Sequence, residues 1–184
     1  MTPGHGVTAI FRALELPADV AGRVYLASMP GRYERLEAAL HEMDRHGIER
    51  VVCLTPDTEI EAKAPEYLDA VRGGGLRRPC ERLDVTDYRA PADENAFRVL
   101  VDHIARRLRQ GERILVHCAG GIGRTGTLAI CLLVALGWTV QQSREAARRA
   151  GSRPESDEQN AFIGGFAGSA LGGITLASLD GRHG

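Results

Sequence analysis

The amino-acid sequence predicts an α/β protein of three layers, a central and mostly parallel β-sheet flanked by helices. Three observations lead there. Short continuous apolar runs alternate with amphipathic stretches along most of the chain, the pattern of successive βαβ units. The run Ile114-Leu115-Val116 is apolar without alternation, as expected of a central strand covered on both faces. A glycine-rich turn then leads into residues 125–136, which are apolar nearly all round and must be buried.

The elements follow in order. Residues 24–27 and 50–54 read as buried strands. Between them Tyr33, Leu36, Leu40 and Met43 recur at helical spacing until Gly47 offers a left-handed stop. Pro91 suits a first helical turn, Asp93 and Glu94 face the positive helix end, and Phe97, Leu100, Val101, Ile104 and Leu108 form one stripe. Arg106, Arg107 and Arg109 crowd the negative end before Gly111. After the 114–116 strand, Gly137 ends the apolar helix. A more polar helix is expected over about 140–150 and a short one over about 156–166, with Ser156 as its N-cap. Residues 1–166 form the expected single domain, with loose first residues. Residues 167–184, rich in Gly and Ser, are expected to be a weakly ordered tail.

Composition narrows the function classes. The 184 residues carry 23 Lys plus Arg against 24 Asp plus Glu, so no global basic field draws the chain to nucleic acid or anionic lipid. At 43% hydrophobic and 26% charged, the chain can fold throughout. Cys53, Cys80, Cys118 and Cys131 form no CxxC pair and the His residues no i, i+3 or i, i+4 pair, so neither a metal site nor a cofactor built on such spacing is expected. No basic n-region precedes an apolar stretch, and no run reaches about 18 apolar residues. A cytoplasmic protein with reduced thiols, no membrane partner and a monomeric default is the expectation.

The chemistry lies in Val116-His117-Cys118-Ala119-Gly120-Gly121-Ile122-Gly123-Arg124-Thr125, where a central strand gives way to a helix N-terminus. In open α/β sheets ligands bind beyond the carboxyl ends of strands, and a helix start favours an anion. Gly120, Gly121 and Gly123 allow successive N–H groups to turn inward, so Ala119, Gly120, Gly121, Ile122, Gly123 and Arg124 are the expected phosphate cradle. Cys118 stands at its mouth, where the field favours thiolate over thiol and makes the sulfur a nucleophile. Arg124 can set a planar fork of donors on two phosphate oxygens, which Lys cannot. Thr125 offers a hydroxyl to assist the departure of the sulfur, and His117 is expected to orient the loop rather than act as a base. A lone Cys or a lone glycine turn is ordinarily structural. The conjunction of Cys, three glycines and Arg in one turn is not.

HCAGGIGRTGT resembles the HCxxGxxR(S/T)G signature of the Cys-dependent protein tyrosine phosphatase superfamily, and the short chain points to its dual-specificity branch. Leu26-Ala27-Ser28-Met29-Pro30-Gly31, Gly47-Ile48 and Thr86-Asp87-Tyr88-Arg89-Ala90-Pro91 resemble segments of kinase-associated phosphatases, which act on a kinase activation-loop threonine. The resemblance implies a parallel sheet flanked by helices and two-step, metal-free hydrolysis through a phosphocysteine. It makes Cys118 the nucleophile, Arg124 the clamp and Thr125 the hydroxyl of the second step.

Such a reaction needs a general acid on a loop facing the cradle. Asp84, Asp87 and Asp93 are the candidates. Asp87 is preferred because it matches the family's Asp-x-x-x-Pro arrangement, Asp84 is the runner-up, and Asp93 is explained as a first-turn charge. Gln159 resembles the family's water-positioning glutamine, although a solvated helix position explains it as well. Cys53 ends a strand beside that of Cys118, so a protective disulfide is conceivable, though burial explains it better. His103 and the arginines Arg144, Arg148 and Arg149 are expected at solvent. The uncharged Ala119, Gly120 and Ile122 favour a singly phosphorylated protein over inositol phosphates or phosphoinositides, which need more cations. An inactive phosphate-binding adaptor is the remaining alternative. Residues 30–33 and 57–65 are expected to set the depth of the cleft.

Overall fold

The computed structural model describes residues 10–177, with side chains through residue 169. Five strands form one sheet in the order β1-β2-β5-β3-β4. β2 (Arg23–Ala27), β5 (Arg113–His117), β3 (Arg50–Cys53) and β4 (Cys80–Arg82) run parallel, and β1 (Arg12–Leu14) pairs antiparallel with β2 at one edge. The helices are α1 (Leu36–Arg45), α2 (Asp57–Lys63), α3 (Pro65–Arg72), α4 (Glu94–Arg109), α5 (Gly123–Ala135), α6 (Val140–Arg149) and α7 (Asp157–Ala177). The three-layer α/β expectation is met.

Strand periodicity assigns the two faces. Val24 and Leu26, Val52, and Ile114 and Val116 enter a core with Phe97, Val101, Ile104, Leu108 and the apolar side of α5. Their neighbours Ala27, Val51, Cys53 and Leu115 enter a second core with Met43, Ile60, Tyr67 and Leu68. β5 is thus covered on both sides, and α5 is buried along Gly123 to Leu133, as its composition required. The end of β5 and the start of α5 are thereby held between two packed layers.

β1, β4, α2 and α3 are not anticipated by sequence pattern. β4 has no apolar residue except Cys80; pairing with Val51 to Cys53 and the ion pair of Glu81 with Arg50 define it instead. α2 and α3 are short and separated by Ala64 alone, with Pro65 opening the second. Asp93 is the N-cap of α4, accepting from Ala96 N at 2.8 Å, rather than a residue of its first turn. Ser156 caps α7 as expected, its Oγ accepting from Gln159 N at 3.1 Å.

Two expectations need correction. The last helix does not stop at Phe166 but continues to Ala177. Phe162 and Phe166 pack edge-on against Phe97 at 5.0 and 5.9 Å, and Arg98 lies over the Phe166 ring and donates to Ser169 Oγ at 2.6 Å. These contacts carry the helix through glycines that disfavour it locally. His103 is not free in solvent: it is partly buried, with Nδ1 2.9 Å from Glu81 Oε2, because α4 lies beside the edge strand. Residues 1–6 and 178–184, parts of the expected loose ends, fall outside the described residues.

Gly22 sits where the chain enters β2 against the turn between α4 and β5. A Cβ there would lie 2.5 Å from the Glu112 carbonyl oxygen and 2.7 Å from that of Leu108. Gly22→Ala is expected to lower stability by roughly 1–3 kcal/mol through forced backbone shifts. Chemical denaturation checks this, and an unchanged midpoint would contradict the packing described.

Candidate active site

The loop after β5 is shaped from outside. Ala119 O accepts from Met29 N at 3.2 Å, Gly121 O from Ser152 Oγ at 2.7 Å and Arg12 Nη2 at 2.6 Å, Ile122 O from Gly126 N and Arg153 N, and Gly123 O from Thr127 Oγ1 at 2.9 Å. A trans peptide sets its N–H opposite its C=O. Outward carbonyls therefore turn the amides of Gly120, Ile122, Gly123 and Arg124 toward the inside of the turn. Gly121 adds its own N–H, which donates to Cys118 Sγ at 3.2 Å. Gly121 is required twice: its φ is +71°, and a Cβ would lie 2.3 Å from the Ala27 carbonyl oxygen.

Arg124, at the start of α5, is buried, yet both terminal nitrogens of its guanidinium are engaged. Nη1 donates to Glu59 Oε2 at 2.8 Å and to Val85 O at 2.9 Å; Nη2 reaches Glu59 Oε1 at 3.1 Å and Asp87 Oδ1 at 2.9 Å. Glu59 also takes Lys63 Nζ at 2.5 Å. Burial opposes ionisation of Glu59, but its bonds to Arg124 and Lys63 prevail and hold the carboxyl at about 2. Arg124 Nε and Thr125 Oγ1 are buried without a protein partner. An unsatisfied buried donor costs about 1–3 kcal/mol, so both atoms call for a polar ligand at this point.

His117 is completely buried. Its Nε2 lies 2.7 Å from Tyr67 Oη and its Nδ1 3.3 Å from Cys118 O. A carbonyl only accepts, so Nδ1 carries the proton and Nε2 accepts from the tyrosine. Burial pushes the imidazole down to about 4, and the cationic Arg82 and Arg124 act in the same direction. The ring is neutral near pH 7 and links Tyr67 on α3 to the Cys118 carbonyl.

The three aspartates separate cleanly. Asp87 reaches Arg124, Asp93 caps α4, and Asp84 is exposed with only a 3.8 Å contact to Arg82. The segment after Asp87 is clasped by the start of α7: Glu158 accepts from Ala90 N at 3.0 Å and Arg89 Nη1 at 2.8 Å, and Gln159 Nε2 donates to Arg89 O at 3.2 Å. Gln159 is 1% exposed, so it is no solvated helix residue; its Oε1 accepts from Glu155 N at 2.8 Å. Tyr88 adopts φ +59° and is exposed beside Asp87.

Cys53 is buried and pushed up to about 12 by desolvation, its thiol directed to Thr55 O; Cys131 is likewise pushed to about 12. All four cysteines are free. Arg144, Arg148 and Arg149 pair at the surface with Asn160, Glu145 and Glu15. The segments expected to set cleft depth meet in a groove of about 690 Å³ lined by Gly31 to Arg35 and Lys63 to Glu66. Among the described residues, no group of three or more His, Cys, Asp or Glu is placed to hold a metal ion, and no helix is long and apolar enough to cross a membrane.

Glu59, Tyr67, Arg12, Ser152 and Glu158 were not legible as site residues. Glu59 and Lys63 stand i, i+4 apart on α2 and Tyr67 lies in the second core, so neither spacing nor residue type marks them out. Only the parallel register that sets Cys53 beside His117 brings the segment after β3 to the cradle.

Comparison with known proteins agrees with this architecture. The family model described as Swiss Army Knife protein, DSP-PTPase phosphatase domain, matches residues 21–163. A crystal structure of kinase associated phosphatase with its catalytic-site cysteine replaced by serine is similar, with TM-score 0.77 and 19% identity, covering 90% of this chain and 98% of that one. Tk-PTP in its active form gives TM-score 0.65 and 24% identity over 82% of this chain and 97% of that one. PTPMT1 in complex with PI(5)P gives 0.66 and 16% over 82% and 94%.

The buried neutral His117 makes stability depend on pH. Its folded value of about 4 lies below the ordinary 6.5, so the unfolded chain binds more protons between these values and stability falls as pH drops through that window. The loss should approach about 1.4 kcal/mol per pH unit and about 3 kcal/mol in total. Denaturation midpoints from pH 7 to 4 check this against His117→Asn, which should lack that part of the slope; a flat wild-type profile above pH 4.5 would contradict it.

Proposed function

This chain belongs to the DSP-PTPase phosphatase domain family, in the dual-specificity branch of the Cys-dependent protein tyrosine phosphatase superfamily, and from that premise we propose that it hydrolyses phosphate monoesters on proteins through a phosphocysteine. Phosphatase activity is that of the family. The observation that carries the finer reading is the pair of buried unpartnered donors, Arg124 Nε and Thr125 Oγ1, beside inward amides and a cysteine sulfur. Together they form a preorganised site for a tetrahedral oxyanion within reach of a nucleophile.

In the proposed reaction the amides of 120 and 122–124 and the Arg124 fork take the non-bridging phosphate oxygens. A dianion accepting from Arg124 displaces the Asp87 carboxylate from Nη2; Asp87 then takes up a proton from solvent and stands beside the ester oxygen. The Cys118 thiolate attacks phosphorus; the P–O ester bond breaks as Asp87, entering protonated, gives its proton to the leaving oxygen. Water then attacks the phosphocysteine, Asp87 takes a proton from it, and the P–S bond breaks to return the thiolate and inorganic phosphate. Thr125 Oγ1 would donate to the departing sulfur. Glu59 keeps the Arg124 fork in plane, and Gln159 holds the Asp87 loop near the water's path.

The uncharged Ala119, Gly120 and Ile122 support a single phosphate group as substrate, since Arg124 is the only cation within the loop itself. We therefore assign phosphotyrosine, phosphoserine or phosphothreonine on a protein, with phosphoinositides second. Buried free thiols are compatible with a reducing compartment, and we place the reaction in the cytoplasm.

Wild-type protein assayed with chelator present should hydrolyse a small aryl phosphate, and phosphopeptides faster than PI(5)P, with at least about 10³-fold loss in Cys118→Ser. Turnover in Cys118→Ser would remove the nucleophile assignment. Preference for PI(5)P would move the substrate to lipid, and phosphate binding without wild-type turnover would make the chain an adaptor. Asp87→Ala should slow alkyl phosphates by about 10²-fold or more and activated aryl phosphates much less. If Asp84→Ala shows that leaving-group dependence instead, the acid is Asp84.

A further inference from the structure

Arg12 lies on β1, outside both the cysteine loop and the matched region, yet its guanidinium ends at the loop. Nη2 donates to Gly121 O at 2.6 Å and Nη1 to Gly151 O at 2.6 Å, while Ser152 Oγ takes the same Gly121 carbonyl at 2.7 Å. Two donors thus hold one carbonyl outward, and planarity of the 121–122 peptide aims Ile122 N–H to the opposite side. The preceding amide, Gly121 N–H, is the one that donates to Cys118 Sγ. One residue therefore joins the peptide that touches the sulfur to the peptide fixed by Arg12.

The charge of Arg12 also needs an explanation. Arg12 is partly buried, and it forms no carboxylate ion pair among the described residues. Burial lowers its pKa, and the influence opposing that is the Cys118 sulfur. A guanidinium taken from water without a carboxylate is unfavourable unless another anion compensates it. The anions available are the thiolate and a phosphate in the cradle.

We infer that Arg12 is a positioning residue of this site, a second guanidinium that locks the 121–122 peptide with its amide facing the phosphate and adds positive potential behind the sulfur. The inference rests on the phosphatase reading for the identity of the anion, but its test does not require turnover. Arg124 meets the phosphate through its fork. Arg12 acts through Gly121 and touches no substrate. β1 thereby acquires a purpose beyond extending the sheet, because its three residues deliver this side chain to the back of the loop.

The test uses the full chain and two thiol reagents of similar size, anionic iodoacetate and neutral iodoacetamide, with Cys118 modification followed by peptide mass. Their rate ratio reads the potential at the sulfur, and protection by inorganic phosphate reads the cradle. Arg12→Met should lower the iodoacetate preference roughly three- to ten-fold and weaken phosphate protection about ten-fold. Arg12→Lys, keeping charge but not the fork, should restore the ratio and only part of the protection. Ser152→Ala should weaken protection and leave the ratio unchanged. A purely structural role would lower thermal stability while leaving ratio and protection within about two-fold of wild type, which would overturn the inference. If Arg12→Met does not fold, Arg12→Lys decides alone, and wild-type protection there overturns it. A wild type that fails to hydrolyse any phosphate monoester would sink the phosphatase reading without touching these two measurements.

Discussion

The site depends on one constraint: the carbonyls of Ala119, Gly121, Ile122 and Gly123 are bonded away from the centre of their turn. Because each peptide is planar, satisfying these oxygens on the outside decides where the amides point. The partners come from several parts of the chain: Met29 after β2, Arg12 on β1, Ser152 and Arg153 after α6, and Thr127 and Gly126 on α5. The cradle is therefore a property of the assembled sheet and its helices, not of a flexible glycine loop. Gly121 fits this role because the backbone of Ala27 and Ser28 leaves no room for a side chain there.

A second level of organisation runs through Arg124. Its guanidinium joins α2 through Glu59, the segment after β4 through Val85, and the Asp87 loop. Glu59 is in turn tied to Lys63, at the edge of the groove between residues 31–35 and α3. Any ligand that took a bond from Arg124 would alter the partners of a group that joins these segments. The Arg124–Glu59 pair at its centre is buried, and removing either member is costly because the other charge loses its compensation. That is why changes at Glu59 and Asp87 should not behave as independent substitutions.

The candidate site was legible in the sequence because Cys118, the glycines and Arg124 lie within one short stretch, and because an apolar strand and an apolar helix flank it. The parallel sheet was visible for the same reason: its central strands are apolar on both faces. What stayed hidden has a common physical cause. Glu59, Tyr67, Arg12 and Glu158 are ordinary residues whose importance arises from distant pairings, and no local pattern encodes a pairing. β4 escaped notice because Cys80-Glu81-Arg82 carries its strand identity in hydrogen bonds rather than hydrophobicity. The glycines of α7 argue against helix beyond Phe166, while the Phe97, Phe162 and Phe166 cluster that extends it is tertiary. Gln159 shows the converse: a polar residue on a polar stretch turned out to be buried and fully engaged.

The clasp between Glu158 and the Arg89-Ala90 segment lies at the protein surface, whereas the Arg124–Glu59 pair lies within it. Mobile counter-ions screen the first far more than the second. Rising ionic strength therefore loosens the hold on the segment bearing Asp87 while the cradle keeps its form. In concentrated salt the Asp87 segment would rest more on the buried Gln159 bond to the Arg89 carbonyl, while the turn after β5 keeps its shape.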